Sequence, residues 1–407
     1  MTTFQRNAFL AICALGSMLM ISTMTGSLMA YVYKSYPEIP QTTVQLIMAV
    51  PSLFAIFASF AAGPIALKVN KKYLLLFAAA ANLAYFIVFA LFGVSGPFTV
   101  LLIASAISGI SRGSSMTLMN SAIGEIMGPE KSANYIAVAG AVLHGGAVII
   151  GVFGGIIAAV DDGAAWNNAY YLGLLIIPTI IVFAKMMPKE ALAARTSANR
   201  NEENTDTGET HARNERESIP AKAYTVVILV VVIFISISAF LLNISYYVIS
   251  EHELGTSADA GFINSLFIAV GVLVGLIYSR WAKLLKDWSM PVCCLISSLG
   301  FVLMIIFTRT PAGAYAAALL LGFAFSTIIP YNTGYLIAIT PPRLIPLSVA
   351  LFSGSMNLGM FVSPFVLNGL SPIFGGGMNG ILLAGIVLAF MCSVASVFLF
   401  PLSRRKV

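Results

Sequence analysis

Charged residues are scarce in this sequence. Only 9% of its 407 residues are Asp, Glu, Lys or Arg, whereas soluble proteins carry about 25%. Hydrophobic residues make up 59%, and the mean hydropathy is +0.93. A water-facing surface for a 43.2 kDa chain cannot be built from 22 basic and 16 acidic side chains. The composition therefore excludes an ordinary cytosolic enzyme, a secreted disulfide scaffold and a nucleic-acid-binding domain.

Cysteine and histidine are also rare, with four and three residues. The cysteines all fall in apolar runs, which suits small packing residues. No Cys-x-x-Cys pair or spaced Cys/His set offers metal ligands. The sequence contains neither a phosphate-binding G-x-x-x-x-G-K-S/T loop nor an H-E-x-x-H pair. We therefore expect no metal, no other cofactor, no use of ATP and no enzymatic activity.

Long apolar runs are abundant, and hydropathy divides them into twelve predicted membrane-spanning helices. The runs are continuous and lack the period-two alternation of an outer-membrane barrel, so we predict an all-α integral membrane protein. The first run reaches about Tyr33, which is too long for the apolar part of a signal peptide, and we interpret it as a retained helix. The predicted spans are residues 8–33, 42–67, 73–94, 99–124, 132–159, 168–187, 222–248, 259–279, 288–308, 314–339, 345–369 and 379–402.

One stretch interrupts this pattern. Between Pro188 and Pro220 the sequence turns polar and can bury almost nothing. We therefore predict a mostly disordered cytoplasmic linker at 188–221. It separates an N-terminal six-helix bundle, residues 1–187, from a C-terminal six-helix bundle, residues 222–407.

Basic residues are distributed unevenly between the two sides of the membrane. With the N-terminus inside, 19 of the 22 basic residues fall on the cytoplasmic side. Lys34 and Arg309 fall outside, and Arg112 falls within span four. This distribution obeys the positive-inside rule. We therefore predict a multi-pass protein of the inner or plasma membrane with both termini in the cytoplasm. The basic pI reflects that orientation rather than an anionic partner.

The two predicted bundles repeat each other. Gly63–Lys71 at the end of span two matches Gly275–Lys283 at the end of span eight, displaced by 212 residues. Gly128–Lys131 after span four matches Thr340–Arg343 after span ten at the same displacement. Two glycines of span five recur in span eleven, displaced by 208 residues. Such a duplication predicts a pseudo-two-fold bundle that holds its substrate near the bilayer midplane.

The loop after span two reads Gly63-Pro-Ile-Ala-Leu67-Lys68-Val-Asn70-Lys71-Lys. It is similar to the G-x-L-A-D-R-x-G-R-R/K loop of the major facilitator superfamily, which the chain resembles over essentially its whole length. The resemblance implies a secondary transporter with twelve helices in two bundles. The chain departs from the motif at Leu67, where the family has its acid, and at Asn70, where it has glycine.

In that family the acid of this loop helps to lock the cytoplasmic side. Because Leu67 replaces it, we expect Lys68 to pair with Glu125 at the end of span four instead. The basic residues of the loop also serve as topology signals. The conformational roles implied by the motif and its repeat fall on Gly63, Lys68, Lys71, Glu125, Arg280 and Lys283.

Span five carries Gly146-x-x-x-Ile150-Gly151-x-x-Gly154-Gly155. This resembles a weakened form of the family's glycine-rich antiporter motif. Small residues at such spacing let two helices approach closely. Packing is therefore our first interpretation, and a role of Gly146, Gly151 and Gly155 in conformational change is the second.

Arg112 lies at the midpoint of span four. An unpaired charge there costs at least about 3 kcal/mol on insertion scales, so its side chain is expected to face the bundle interior. Helical spacing places it on one face with Ser105, Ser108 and Ser115. None of the 16 acidic residues falls within a predicted span.

The predicted membrane core thus has one fixed cation and no carboxylate. This disfavours a cationic substrate, whereas a substrate carboxylate would suit the planar guanidinium fork. The alternative is a structural arginine that is satisfied by serine hydroxyls, backbone carbonyls and water.

His144 is the one histidine within a predicted span. It is a candidate proton carrier, because histidine changes its charge most readily near neutral pH; alternatively, it donates to a carbonyl of a packed neighbour. In the resembling family, spans one, four, seven and ten line the cavity. The side chains on these spans that we expect to contact an oxygen-rich solute are Tyr31, Asn120, Asn243, Tyr331 and Asn332.

These features predict a secondary transporter that moves a small organic anion by alternating access. It would act as an exchanger or facilitator, or be proton-coupled through His144. The second hypothesis is an efflux pump for amphipathic compounds, and the third is a transport-dead sensor or membrane-partner protein. We expect a monomer whose partners are its small-molecule substrate and the lipid bilayer, with no nucleic acid.

Overall fold

The computed structural model describes residues 2–66, 68–127, 129–187, 219–341 and 344–400. Within these ranges, 12 helical segments are long and apolar enough to cross a membrane, which confirms the predicted all-α fold. Of the predicted linker, residues 188–218 lie outside the described residues, as does Leu67 of the loop after span two. The next helix begins at Ala221.

The helices of residues 2–187, which we call the N-terminal half, follow the predicted spans closely. They are Thr3–Leu19 and Thr25–Ser35 (span one), Gln41–Ala66, Lys71–Phe92, Phe98–Met127, Pro129–Ala158 and Ile176–Met186, the last preceded by a 3-10 segment at Trp166–Leu175. The helices of residues 219–400, the C-terminal half, are Ala221–Tyr246 (span seven), Ser257–Leu285, Ser289–Ile306, Ala312–Ile339, Ile345–Leu370 and Gly377–Leu399.

The two halves have separate hydrophobic cores. One cluster of buried side chains, which includes Phe234, Phe240 and Phe301, is drawn entirely from residues 219–400. Two others are drawn from the buried residues of the N-terminal half. Large apolar side chains such as Phe77 and Phe398 remain exposed on the outside of the bundle, as expected where lipid is the solvent.

Span one is broken, which the hydropathy pattern did not predict. Its first helix ends at Leu19, a 3-10 turn occupies Ile21–Met24, and a second helix begins at Thr25. The hydroxyl of Thr23 donates to the carbonyl of Met20 at 2.8 Å. Such side-chain bonds compete with the helical ladder, which gives a local reason for the break in an apolar run.

Spans two and four pack with their backbones in close contact. A Cβ atom added at Gly109 would lie 2.3 Å from the carbonyl oxygen of Pro51, and one at Gly113 would lie 2.3 Å from that of Ala55. Glycine is therefore required at both positions, as in small-residue packing of membrane helices. Arg112 stands between these two glycines in the sequence and is thereby held beside span two.

Hydrogen bonds between the halves close the bundle on the side opposite the chain termini. Gln45 donates its side-chain amide to Asn243 at 2.8 Å and accepts from Asn368 at 2.7 Å. Near them, the hydroxyl of Ser245 donates to the carbonyl of Ser27 at 2.7 Å. These residues belong to spans two, seven, eleven and one. They join the two halves at one end of the molecule.

Candidate functional site

A cavity of about 680 Å³ lies between the halves. Spans one, two, three, four and five line it from one side, and spans seven, eight, ten and eleven line it from the other. It extends from the middle of the bundle toward the side that holds the termini, where the lining reaches Asn120 of span four and Val349 of span eleven. The bundle is therefore closed at one end, and its cavity extends toward the other.

Arg112 lines this cavity at the middle of the helix Phe98–Met127. Its Nη2 donates to the hydroxyl of Ser52, a buried residue of span two, at 3.3 Å. Among the described residues, one ion pair is formed, between Lys71 and Glu125. Within that part of the chain, Arg112 therefore has no carboxylate partner, and its guanidinium faces a cavity large enough for a solute.

The serines predicted to share the face of Arg112 have different surroundings. Ser108 lines the cavity. Ser105 is fully buried, and the hydroxyl of Ser115 donates to the backbone carbonyl of Arg112 at 3.1 Å. The hydroxyl that meets the guanidinium belongs instead to Ser52 on span two. Its contact depends on the close packing of two spans, which the sequence of span four does not reveal.

A buried hydroxyl network adjoins the cavity and was not predicted. Thr25, at the break in span one, is hydrogen-bonded to Tyr85 at 2.8 Å and to Tyr170 at 2.9 Å. Tyr85 and Thr25 both line the cavity. In the sequence, the network is marked by the adjacent Thr25 and Gly26 in span one and by Tyr85 in span three. Neither is distinctive in a membrane helix.

His144 also lines the cavity, and its side chain is exposed there. Its Nδ1 lies 2.6 Å from the carbonyl oxygen of Gly140, one turn earlier in the same helix. The expected carbonyl contact is thus within span five rather than with a packed neighbour. The ring stands in the same cavity as Arg112, so a proton on His144 would add to the positive charge that a solute meets.

Of the five other predicted contact residues, Asn120 lines the cavity. Tyr31 and Asn243 lie nearer the closed end and do not belong to the lining. The ring of Tyr31 packs against the backbone at Gly163. Asn243 accepts from Gln45 and donates to the carbonyl of Ala239 at 3.0 Å. The ring of Tyr31 is thus used in packing, and the amide of Asn243 joins the halves.

Tyr331 and Asn332 of span ten are also absent from the lining. Asn332 is fully buried and donates to the carbonyl of Ile328 at 2.8 Å. The ring of Tyr331 meets the edge of Phe400 with the ring centroids 5.3 Å apart. Both side chains turn into the C-terminal half, whereas Phe325 and Ser326, about two turns earlier in the helix, face the cavity.

The residues of the predicted conformational motif lie at the termini side. Glu125 pairs with Lys71 rather than with Lys68, and Lys71 also donates to Ser121 at 2.8 Å. Asn70 caps the helix that begins at Lys71, so Lys71 is fixed in the first turn, where it meets span four. Lys68 precedes the cap and is exposed.

Gly63 faces open space, and Arg280 is exposed at the same end. The side chain of Lys283 lies outside the described residues. A conformational role for this group stays a prediction.

The glycines of span five pack against two other spans. A Cβ atom at Gly146 would lie 2.6 Å from the Cβ of Ser17 in span one. One at Gly151 would lie 2.7 Å from the hydroxyl oxygen of Ser265, and one at Gly155 would lie 2.5 Å from the carbonyl oxygen of Ser257, both in span eight. Gly151 and Gly155 therefore let the two halves approach each other, whereas Gly146 lets spans one and five pack closely within the N-terminal half. Their part in conformational change stays a prediction.

The wall formed by the C-terminal half differs from the opposite wall. Its described lining residues include no ionisable side chain, and most are apolar. The ring of Phe325 lies 5.3 Å from that of Phe267 and 5.5 Å from that of Phe234, between centroids. Among the described residues, no group of His, Cys, Asp and Glu is placed to hold a metal ion.

Solved structures of several transporters have similar folds. A bacterial homolog of the human lysosomal transporter Spinster, in an inward-facing and occupied conformation, shares 13% identity with a TM-score of 0.74, covering 99% of this chain and 98% of that one. A mutant of the peptide transporter POT shares 12% with a TM-score of 0.75, covering 98% and 94%. A mutant of the nucleoside transporter NupG shares 13% with a TM-score of 0.74, covering 98% of both chains.

At these identities the likeness concerns the fold. No curated protein matches the chain. The sequence profile of the Major Facilitator Superfamily matches residues 9–249 and 226–407, which together span nearly the whole chain. The protein therefore belongs to the major facilitator superfamily and is a transporter of that family.

Proposed function

We propose that this transporter moves a small organic anion of the carboxylate type by alternating access. The observation that carries the proposal is the position of Arg112. It lines the central cavity, and within the described residues it has one hydrogen bond, to Ser52, and no carboxylate partner. A cation in that position attracts an anionic solute and repels a cationic one.

The chemistry of the guanidinium supports a carboxylate. Its planar fork matches two carboxylate oxygens, and charge-assisted hydrogen bonds of this kind are stronger than neutral ones. An uncompensated charge inside a membrane protein is also costly. A bound carboxylate removes that cost, so substrate and protein stabilise each other. Ser108 and Asn120 in the same lining offer further polar groups for an oxygen-rich headgroup.

The arrangement of the two ends supports a rocking mechanism. The Gln45, Asn243 and Asn368 amides join the halves at one end, and the cavity extends toward the other. In the predicted topology, with the termini in the cytoplasm, this conformation faces inward. An empty cavity would have to carry the unpaired charge of Arg112 through the transition, which favours obligatory exchange of one anion for another.

His144 offers a second means of coupling. Its exposed ring lines the cavity with Arg112. Protonation would increase the positive charge met by the anion, so anion and proton would move together. An exchange mechanism without protons predicts that His144→Gln leaves the pH dependence of transport unchanged. Proton coupling predicts that the same variant loses that dependence while anion exchange continues.

The test of anion transport is counterflow in proteoliposomes. Vesicles with the purified protein are loaded with unlabelled butyrate, succinate, benzoate or glutamate, and uptake of the labelled compound is followed. We expect saturable, trans-stimulated uptake of at least one acid, which Arg112→Gln abolishes. Arg6→Gln removes an exposed arginine outside the cavity and should retain wild-type rates. Uptake that Arg112→Gln leaves intact would contradict the proposal.

An exporter of uncharged or cationic amphipathic compounds is the second candidate, and the apolar wall of the C-terminal half favours it. Such a pump would reduce the accumulation of a lipophilic cationic dye in cells that express the protein. Our proposal predicts no such reduction, since Arg112 opposes a cation in the cavity and the described lining offers no carboxylate to bind it.

A further inference from the structure

We infer that the substrate is an amphipathic monoanion, with one carboxylate held by the N-terminal half and an apolar body held by the C-terminal half. This inference rests on the proposed anion transport and narrows its substrate class. It follows from the unequal chemistry of the two cavity walls, from the positions of their central residues, and from the size of the space between them.

The ionisable side chains among the described lining residues all belong to the N-terminal half. They are Arg112, His144 and Tyr85. Arg112 is the one fixed cation of that set, so it can neutralise one carboxylate. A second carboxylate on the same solute would face the opposite wall, where no cation is present among the described lining residues. Burial of an unpaired charge is strongly unfavourable, which disfavours dianions and trianions.

Three of the five polar side chains on the opposite wall donate hydrogen bonds within the protein. The hydroxyl of Ser238 donates to Phe234 at 2.7 Å, and the amide of Asn264 donates to Thr23 at 3.3 Å. The amide of Asn357 donates to the carbonyl of Ser353 at 2.9 Å. These bonds reduce the number of donors that the wall offers to a solute rich in hydroxyl or amide groups. The wall therefore disfavours sugars and other strongly hydrophilic acids.

The centre of that wall is apolar where the opposite wall is charged. Gly322 of span ten packs closely against span eight, just as Gly109 of span four packs against span two. A Cβ atom added at Gly322 would lie 2.4 Å from the carbonyl oxygen of Phe267. Three residues after Gly109 stands Arg112, and three residues after Gly322 stands Phe325. Both line the cavity. At the same spacing from a packed glycine, one half thus presents a cation and the other presents an aromatic ring to one solute.

The remaining surface can adapt to an apolar body. Met356 and Met360 of span eleven line the cavity beside Phe267 and Phe325. Methionine side chains are flexible and polarisable, which suits them to bodies of different shape. The cavity volume of about 680 Å³ is several times the roughly 150 Å³ that holds a benzene molecule. An acid as small as acetate would leave most of it unfilled.

The test is a set of dissociation constants for matched acids on the purified full-length protein. Butyrate and hexanoate differ by two methylene groups, and burial of each should strengthen binding by about fourfold at most. Butyrate and succinate have the same chain length, but succinate replaces the terminal methyl with a second carboxylate. We expect hexanoate to bind more tightly than butyrate, and butyrate to bind at least about tenfold more tightly than succinate.

Two variants show whether the apolar wall causes this preference. Met360→Gln has nearly the same shape but a polar end, and should reduce the gain in affinity from butyrate to hexanoate. Phe325→Leu keeps the wall apolar and should retain the gain. Because Phe325 packs against two other rings, the methionine variant keeps the test valid if the aromatic position proves sensitive to folding.

The outcomes separate the two claims. In one outcome, succinate and hexanoate bind no more weakly and no more tightly than butyrate, and Arg112→Gln loses the binding of all three acids. That outcome would overturn the amphipathic substrate but leave anion transport standing. Acid binding that is the same in wild type and Arg112→Gln would overturn the proposed function and this inference with it. A gain with chain length, a preference for butyrate over succinate, and loss of acid binding in Arg112→Gln support both.

Discussion

The two halves of the molecule share one architecture and face one cavity with opposite chemistry. Span four packs on span two through Gly109, and span ten packs on span eight through Gly322. Three residues after each of these glycines, one half presents Arg112 and the other presents Phe325 to the cavity. The comparison shows that the repeated helices preserve helix packing, whereas the residues that face the solute differ. The proposed substrate recognition therefore depends on the differences between the halves.

A second difference concerns charge. The N-terminal half contributes every ionisable side chain of the described lining, and also the Lys71–Glu125 ion pair at the termini side. The described lining of the C-terminal half has no ionisable side chain, and it includes Phe267, Phe325 and two methionines. The proposed substrate, charged at one end and apolar at the other, satisfies both walls. Changes that make the walls more alike, or that reverse them, test this comparison.

The largest effect is expected from reversal of the charge. Arg112→Glu places a negative charge in a cavity whose described lining has no other fixed charge. The affinity for anions should fall by more than about 100-fold, because the charge-assisted hydrogen bond is lost and electrostatic repulsion is added. The variant should gain affinity for a lipophilic cation such as tetraphenylphosphonium. Binding of both probes by the purified protein is the measurement.

Arg112→Gln is the matched control, since it should lose the anion without gaining the cation. If Arg112→Glu retained butyrate binding, the charged wall would not be the anion site.

A smaller effect is expected when the scaffold beneath Arg112 is disturbed. The Cβ of Gly113→Ala would lie 2.3 Å from the carbonyl oxygen of Ala55, so spans two and four must separate. Overpacking of this kind costs about 1–3 kcal/mol, and it also moves Arg112 away from Ser52. Thermal unfolding and butyrate affinity should both decrease.

Gly124→Ala in the same helix is the control, because a Cβ there has open space. Alanine also favours the helix by up to about 1 kcal/mol over glycine. If Gly113→Ala and Gly124→Ala had the same thermal stability and the same butyrate affinity, close packing of spans two and four would not position Arg112.

The smallest effect is expected for the hydrogen bond that orients the guanidinium. Ser52→Ala removes the hydroxyl that Arg112 contacts at 3.3 Å. A hydrogen bond of this type contributes about 0.5–1.5 kcal/mol, so acid affinity should fall about two- to tenfold with the charge still in place. Ser59→Ala removes a different bond between the same spans, to Gly113, and should affect acid affinity less. A larger loss in Ser59→Ala would assign the effect to packing.

Much of the fold could be predicted because its signals are local. Apolar runs and turn residues define the spans, and the helix ends lie within a few residues of the predicted ones. The break in span one was missed, since Ser22, Thr23 and Thr25 do not lower the hydropathy of that run enough to interrupt it. The local structure there involves a bond from Thr23 to the backbone and bonds of Thr25 with Tyr85 and Tyr170 of other spans.

The site was only partly predictable. Arg112 could be identified because a charge in an apolar run must face the interior, and His144 and Asn120 also line the cavity. Four other side chains were predicted to contact the solute because they lie on spans that line the cavity in the family, but a hydropathy pattern does not fix the rotation of a buried helix. They are Tyr31, Asn243, Tyr331 and Asn332. Ser52 and Tyr85 were missed for the same reason: their positions depend on how spans two and three pack against their neighbours.

The most direct test of the account is the coupling between Arg112 and the carboxylate of a ligand. Dissociation constants of 3-phenylpropionate and its neutral amide, 3-phenylpropanamide, are measured on the wild type and on Arg112→Gln. The account predicts that the wild type prefers the acid by about 10- to 100-fold, a coupling of about 1.5–3 kcal/mol, and that the variant loses this preference while still binding the amide. The same ratio of acid to amide affinity in both proteins would contradict it.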